Sequence, residues 1–163
     1  MSLLGILRGL DTGGVRFVVI GGMAGQLHGS ARVTNDVDIC YDTQPENLTA
    51  LAALLQRWHA YLRDVEPGLP FVPDVQTLRN AASLTLTTTE GNLDLFVVVP
   101  GIGRYAEAAV RSQIFDLDGI AVPTLDLDAL IASKRAANRP KDREHVIELE
   151  AIRDLNAQRE DAH

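Results

Sequence analysis

The chain has 163 residues, 46% of them hydrophobic and 23% charged, with a formal net charge of -7, and a length near ~150 residues suits one core rather than several. No apolar run approaches the ~18 residues of a membrane span, and "MSLLGILRGLDTGG" lacks the basic start and apolar length of a signal peptide, so a cytoplasmic protein with no membrane partner is expected. The acidic balance excludes a surface built throughout for nucleic acid, because that affinity rests on Lys and Arg neutralising phosphate.

In chain order, Leu3, Leu4, Ile6, Leu7 and Leu10 recur at helical spacing, which predicts a short helix ending near Gly13 and Gly14 and packing as a lid. "RFVVI" at 16–20 reads as a buried strand, and "GMAGQLHG" from Gly22 as a helix stopped at Gly29. "DVDICYD" at 36–42 alternates as a second strand. Pro45 then opens a helix expected to run through 45–62, with Leu48, Leu51, Leu55, Trp58 and Leu62 on one face. Three prolines and a glycine make 63–74 a loop long enough to border a site. "SLTLTTT" at 83–89 and "LDLFVVV" at 93–99 form a hairpin pattern around "EGN", and Asp94 interrupts the apolar second run. A helix at "RYAEAAVRS", a strand pair around "QIFDLDGIAVP", and helices over about 126–138 and 140–158, parted at Asn138-Arg139-Pro140, complete the chain.

Three carboxylates stand out. On a strand, alternate residues share a face about 6.5–7 Å apart, so Asp36 and Asp38 point one way while Val37 and Ile39 enter the core. Asp94 shares its face with Phe96 and Val98. Taken alone, Asp-x-Asp at a strand end is more often solvated or capping. Upstream, however, Gly21 and Gly22 close a buried strand and open a helix, where backbone amides can approach phosphate oxygens. Carboxylates held together need a compensating cation, and an oxygen-only donor set suits Mg²⁺ or Mn²⁺. "GGMAGQLHG" ends in neither a P-loop Lys-Ser/Thr nor a Gly-x-Gly-x-x-Gly spacing. The lone Cys40 and scattered His28, His59, His145 and His163 offer no zinc pattern. His28 reads as a capping or core residue, Cys40 as a buried thiol, and Tyr41, Tyr105 and Trp58 as packing.

Gly21-Gly22, thirteen residues, Asp36-Val37-Asp38-Ile39 and the later Leu93-Asp94-Leu95 together resemble the nucleotidyltransferase superfamily of the polymerase-β type. "GGMAGQLHGSARVTNDVDI" with the C-terminal "KRAANRPKDREHVIEL" is similar to minimal bacterial nucleotidyltransferases that include abortive-infection toxins of the AbiEii type, over about 16–155. The resemblance implies that Asp36 and Asp38 hold two metal ions bridging the triphosphate of an NTP, and that Asp94 completes the site and helps deprotonate the acceptor hydroxyl. It implies further that Gly21 and Gly22 contact the β- and γ-phosphates and that Lys134 neutralises triphosphate charge. Asp142 would orient Lys134 or a sugar hydroxyl, and Arg32 and Thr34 would position phosphate or fix the turn. Gly22 stands where active members often carry serine, and the C-terminal part is too short for a separate acceptor-reading domain.

The expected fold is one α/β (α+β) domain over 1–163, with a core at about 15–125 and a helical segment at about 126–160. Its mixed sheet would carry the acids at one edge, and a C-terminal helix pair would close the cleft. The expected function is Mg²⁺-dependent transfer of a nucleoside monophosphate to a hydroxyl on RNA, such as a tRNA 3′ end, or on protein. An RNA acceptor would bind through 134–143, which carries five basic residues and one acid, and an antitoxin protein is the expected partner of a toxin. Two alternatives stay open: a non-catalytic binding or regulatory subunit, and a transferase acting on an antibiotic-like small molecule.

Overall fold

The computed structural model describes residues 2–162, which leaves His163 outside. Helix α1 (Leu3–Thr12) starts where the Ser2 hydroxyl accepts the Gly5 amide at 3.3 Å, and it buries Ile6, Leu7 and Leu10 completely. It is part of the core rather than a lid, since none of its residues lines the cleft described below. Gly9 lets α1 close on Trp58, because a Cβ there would meet the indole at 2.2 Å.

Strand β1 (Phe17–Ile20) runs directly into α2 (Gly21–Leu27), β2 (Asp36–Tyr41) follows, and α3 covers Pro45–Arg57. The expected helix over 45–62 therefore stops five residues early. The left-handed backbone at His59 (φ 50°) ends the ladder, and Tyr61–Leu62 leaves it as the edge strand β3. Leu62 continued the helical spacing only by coincidence, because two residues of a strand carry no period of their own.

After the loop comes α4 (Val75–Asn80), which the sequence reading left unassigned; Asp74 caps it by accepting the Thr77 amide at 2.8 Å. Strands β4 (Ser83–Thr88) and β5 (Gly91–Phe96) form the expected hairpin. The second strand ends at Phe96, short of 99, and Val99 instead bridges Gly103. Helix α5 (Tyr105–Val110), strands β6 (Ser112–Leu117) and β7 (Ile120–Leu125), and helices α6 (Leu127–Ala137) and α7 (Pro140–Asp161) complete the chain. Asn138 at φ 51° and Pro140 in the first turn of α7 separate the last two helices where the sequence indicated.

Seven strands form one mixed sheet in the order β3-β4-β5-β2-β1-β7-β6, with β2 parallel to β5 and antiparallel to β1. The acids thus sit on the two strands at the sheet's centre, not at its edge. A central strand buries one face fully, and Val37 and Ile39 are inaccessible as alternation requires. No helix among the described residues is long and apolar enough to cross a membrane.

Candidate active site

Parallel pairing sets Asp38 opposite Asp94 and Asp36 opposite Asn92, so the three carboxylates project from neighbouring strands onto one face. Against that face stand the start of α2 and the α6–α7 pair, enclosing a cleft of about 470 Å³. All nine residues singled out from the sequence line it: Gly21, Gly22, Arg32, Thr34, Asp36, Asp38, Asp94, Lys134 and Asp142.

Gly21 has no alternative here. Its backbone is left-handed (φ 65°), and a Cβ would lie 2.1 Å from the Asp38 carboxylate. Helix α2 begins without a side-chain cap, so its first amides face the cleft without a protein acceptor in the cap position. The Thr34 hydroxyl donates to the Asp36 carbonyl at 3.1 Å, which makes Thr34 a brace of the turn into β2. Arg32 reaches across to α7, donating to the Lys141 carbonyl at 3.5 Å and lying 3.6 Å from Glu144.

The acid wall is short of positive charge. Burial, then the adjacent Asp94 and Asp36, push the Asp38 carboxyl up to about 7, and Lys134 only partly offsets this. Burial also raises Asp94, opposed by the Arg63 guanidinium. The charge of Asp94 beside it favours the protonated form of Asp38. Arg63 was not singled out from the sequence, where it follows what read as the end of a helix. In the fold it follows β3 and bridges two of the acids, 2.5 Å from Asp94 and 3.7 Å from Asp36. A stand-in cation among oxygen-only donors fits the chemistry of Mg²⁺ or Mn²⁺. Among the described residues no three His, Cys, Asp or Glu side chains converge tightly enough to ring a metal ion in this arrangement.

The helical wall pairs its buried acid. Asp142, 1% exposed, lies 3.5 Å from the Lys134 ammonium and accepts from the Arg139 guanidinium at 2.7 and 3.2 Å and from the Arg139 amide at 3.2 Å. Burial alone would raise Asp142, but the hydrogen bonds from Arg139 and the charge of Lys134 leave it below its ordinary value. Burial lowers Lys134, with Asp142 pulling the other way. One turn along α7, His145 is buried against Gly25 with its Nε2 unbonded, and burial plus the charges of Lys134 and Arg32 hold it down to about 4. Its spacing of three from Asp142 on one helix was the signal that could have found it; Arg139, one residue before the helix-opening proline, had a similar clue.

A family profile described as "Nucleotidyl transferase AbiEii toxin, Type IV TA system" matches residues 5–155. The chain belongs to this family. No curated protein matches it. Among solved structures it is similar to the lincosamide antibiotic adenylyltransferase LnuA bound to lincomycin, at TM-score 0.60 and 16% identity over 92% of this chain and 95% of that one. ANT(2")-Ia in complex with adenylyl-2"-tobramycin gives TM-score 0.53 and 16% identity over 94% of each chain. An antigenic nucleotidyltransferase-like protein from Paracoccidioides brasiliensis gives 0.55 and 15%, over 89% of this chain and 72% of that one. At these identities the likeness is one of fold, an α+β nucleotidyltransferase architecture.

In this AbiEii-family chain the basic segment 134–143 pairs three of its five basic residues with acids, while Arg135, Arg139, Lys141 and Arg143 remain exposed. Lys134 and Arg139 hold Asp142, Arg135 pairs with Glu150, and Arg143 donates to Asn138 at 3.1 Å. The residues read as packing behave so: His28 contacts the Leu125 carbonyl at 2.9 Å, Tyr41 donates to that of Leu78 at 2.7 Å, and Cys40 is fully buried.

Proposed function

We propose that this protein moves a nucleoside monophosphate from an NTP to a hydroxyl acceptor with the help of Mg²⁺ or Mn²⁺, as the toxin of a toxin–antitoxin pair. The observation that carries the reading is one cleft with two walls of opposite charge, Asp36, Asp38 and Asp94 facing Lys134, Arg32 and the Arg139–Asp142 clamp. A triphosphate with bound divalent ions carries both signs and fits such a gap.

Asp36, Asp38 and Asp94 would hold the metal, which supplies Lewis-acid stabilisation of charge on the α-phosphate and pyrophosphate oxygens. Lys134, steadied by Asp142, would neutralise the leaving pyrophosphate. Gly21 and Gly22 would present amides to the β- and γ-phosphates, Arg32 would meet the same group from the rim, and Thr34 keeps the turn into β2 in shape. The acceptor hydroxyl would attack the α-phosphorus as the bond to pyrophosphate breaks, its proton passing towards Asp94. Family membership supports the toxin role and an antitoxin protein as partner.

For the acceptor, an RNA end such as the tRNA 3′ hydroxyl comes first, with Lys141 on the rim beside the mouth, and a protein hydroxyl comes next. A small-molecule acceptor is the second reading, favoured by the pairing of Lys134, Arg135 and Arg139 with acids, which reduces the charge free for a long phosphate backbone. The deciding experiment incubates the protein with each labelled NTP, Mg²⁺ or Mn²⁺, and in parallel total tRNA, cell protein or aminoglycoside and lincosamide acceptors. Label should pass to one class and vanish with Asp36→Ala and Asp38→Ala. Transfer that persists in both variants sinks the site assignment, and no transfer or nucleotide binding at all favours a non-catalytic subunit.

A further inference from the structure

Arg63 stands in register with the acids. Leu62 pairs with Leu86, the Arg63 amide donates to the Thr85 carbonyl at 2.9 Å, Thr85 pairs with Asp94, and Asp94 with Asp38. Four neighbouring strands thus bring Arg63 and the carboxylates into one row. The guanidinium, 16% exposed, is fixed on three sides: it donates to Asp94 at 2.5 Å, to the Leu86 carbonyl at 3.2 Å, and lies 3.7 Å from Asp36. Beyond it Asp64 is left-handed at φ 61°, and exposed Val65, Leu69 and Val72 follow in a loop tied back by the Tyr61 hydroxyl, which donates to the Leu69 carbonyl at 2.7 Å.

We propose that Arg63 is a built-in counter-cation that holds Asp36 and Asp94 together before metal arrives and is displaced when a divalent ion enters. The inference rests on the metal-dependent reading above. A guanidinium stays protonated at any working pH, so the gap cannot be cleared by proton loss. A divalent ion on the same two carboxylates would stand close to the guanidinium in a partly buried site, where their repulsion is stronger than between exposed charges in water and favours withdrawal of Arg63. The side chain is then the group to yield, since it can swing through its own rotamers while the two-residue strand and the loop held by Tyr61 stay in place. Arg63 is a positioning residue: it keeps the carboxylates spaced and lowers the affinity for free metal.

The test is Mn²⁺ titration of the full chain without nucleotide, comparing the unaltered protein with Arg63→Gln and Arg63→Lys. Removing the competitor should tighten Mn²⁺ binding about tenfold, the scale of one charge-assisted hydrogen-bonded pair, with Arg63→Lys between the two. Arg63→Gln should also melt lower in EDTA and regain the difference in Mn²⁺. Tight and equal binding in all three proteins overturns the proposal while leaving the transferase reading intact. Binding in none overturns both. In the unaltered protein, the Arg63 side-chain NH signal should shift with Mg²⁺ at the midpoint of metal binding; a signal unmoved at saturation overturns the displacement irrespective of how the variants fold.

Discussion

On the helical wall of the cleft the buried acid is fully partnered: Asp142 takes four contacts from Lys134 and Arg139, and these hold its carboxyl below the ordinary value although it is almost wholly buried. On the sheet wall three carboxylates have one guanidinium beside two of them, and burial with the neighbouring acids pushes Asp38 up to about 7. One wall has its buried acid paired before any ligand binds, whereas the other is under-compensated. Pre-organised donors lose nothing at the moment of reaction, and under-compensated acids supply the driving force for drawing a cation in. The division of labour is a property of the fold, since the sheet centre must bury its strands while a helix pair can pair charges along its seam.

The contrast breaks most visibly at Asp38. Asp38→Asn should cost at least about a thousandfold in transfer rate, yet raise the melting temperature in EDTA at pH 8 by ~5 °C, because a buried repulsion is removed. A fall in melting temperature would mean that the acid wall is already satisfied. On the opposite wall Asp142→Ala should do the reverse for stability, costing about 3 kcal/mol by urea unfolding, since Lys134 is left mostly buried without its partner. Transfer should drop by about a hundredfold as well, from the loss of a positioned ammonium.

Smaller changes sharpen the same contrast. Gly21→Ala forces a side chain into the Asp38 carboxylate and into a left-handed backbone. It should weaken NTP binding by about tenfold, with a stability loss of about 1–2 kcal/mol. His145 faces Lys134, Arg32, Glu148 and Asp142 and is held down to about 4, below its ordinary 6.5. Between these values the unfolded chain binds the proton and the folded one does not, so stability declines as pH falls from 6.5 towards 4 and is unaffected above. Over that window His145 should account for at most about 3 kcal/mol, and His145→Gln should flatten the slope in pH-resolved unfolding.

Much of this was legible in the residues. Alternation in 36–42 and the interruption of an apolar run by Asp94 carry the acid wall, because strand period and buried charge are local signals. The glycine pair marks its turn, and the break at 138–140 marks the helix pair. Arg63 was not legible. Its position depends on a helix ending at Arg57 and on a two-residue edge strand, and neither leaves a pattern of its own. The sheet order was hidden for a related reason. The parallel pairing of β2 with β5 joins Asp36 to Asn92 and Asp38 to Asp94, far apart in sequence, so whether the acids lay at a centre or an edge was a tertiary fact.

The central claim is that the sheet wall waits for a divalent cation carrying a triphosphate. Crystals grown with Mn²⁺ and a non-hydrolysable NTP analogue test it directly through the anomalous signal of manganese. The account predicts a peak within coordination distance of Asp36 and Asp38, triphosphate oxygens between it and Lys134, and Arg63 withdrawn from Asp94. Triphosphate bound elsewhere, or manganese absent from the carboxylates while the nucleotide is bound, would contradict it.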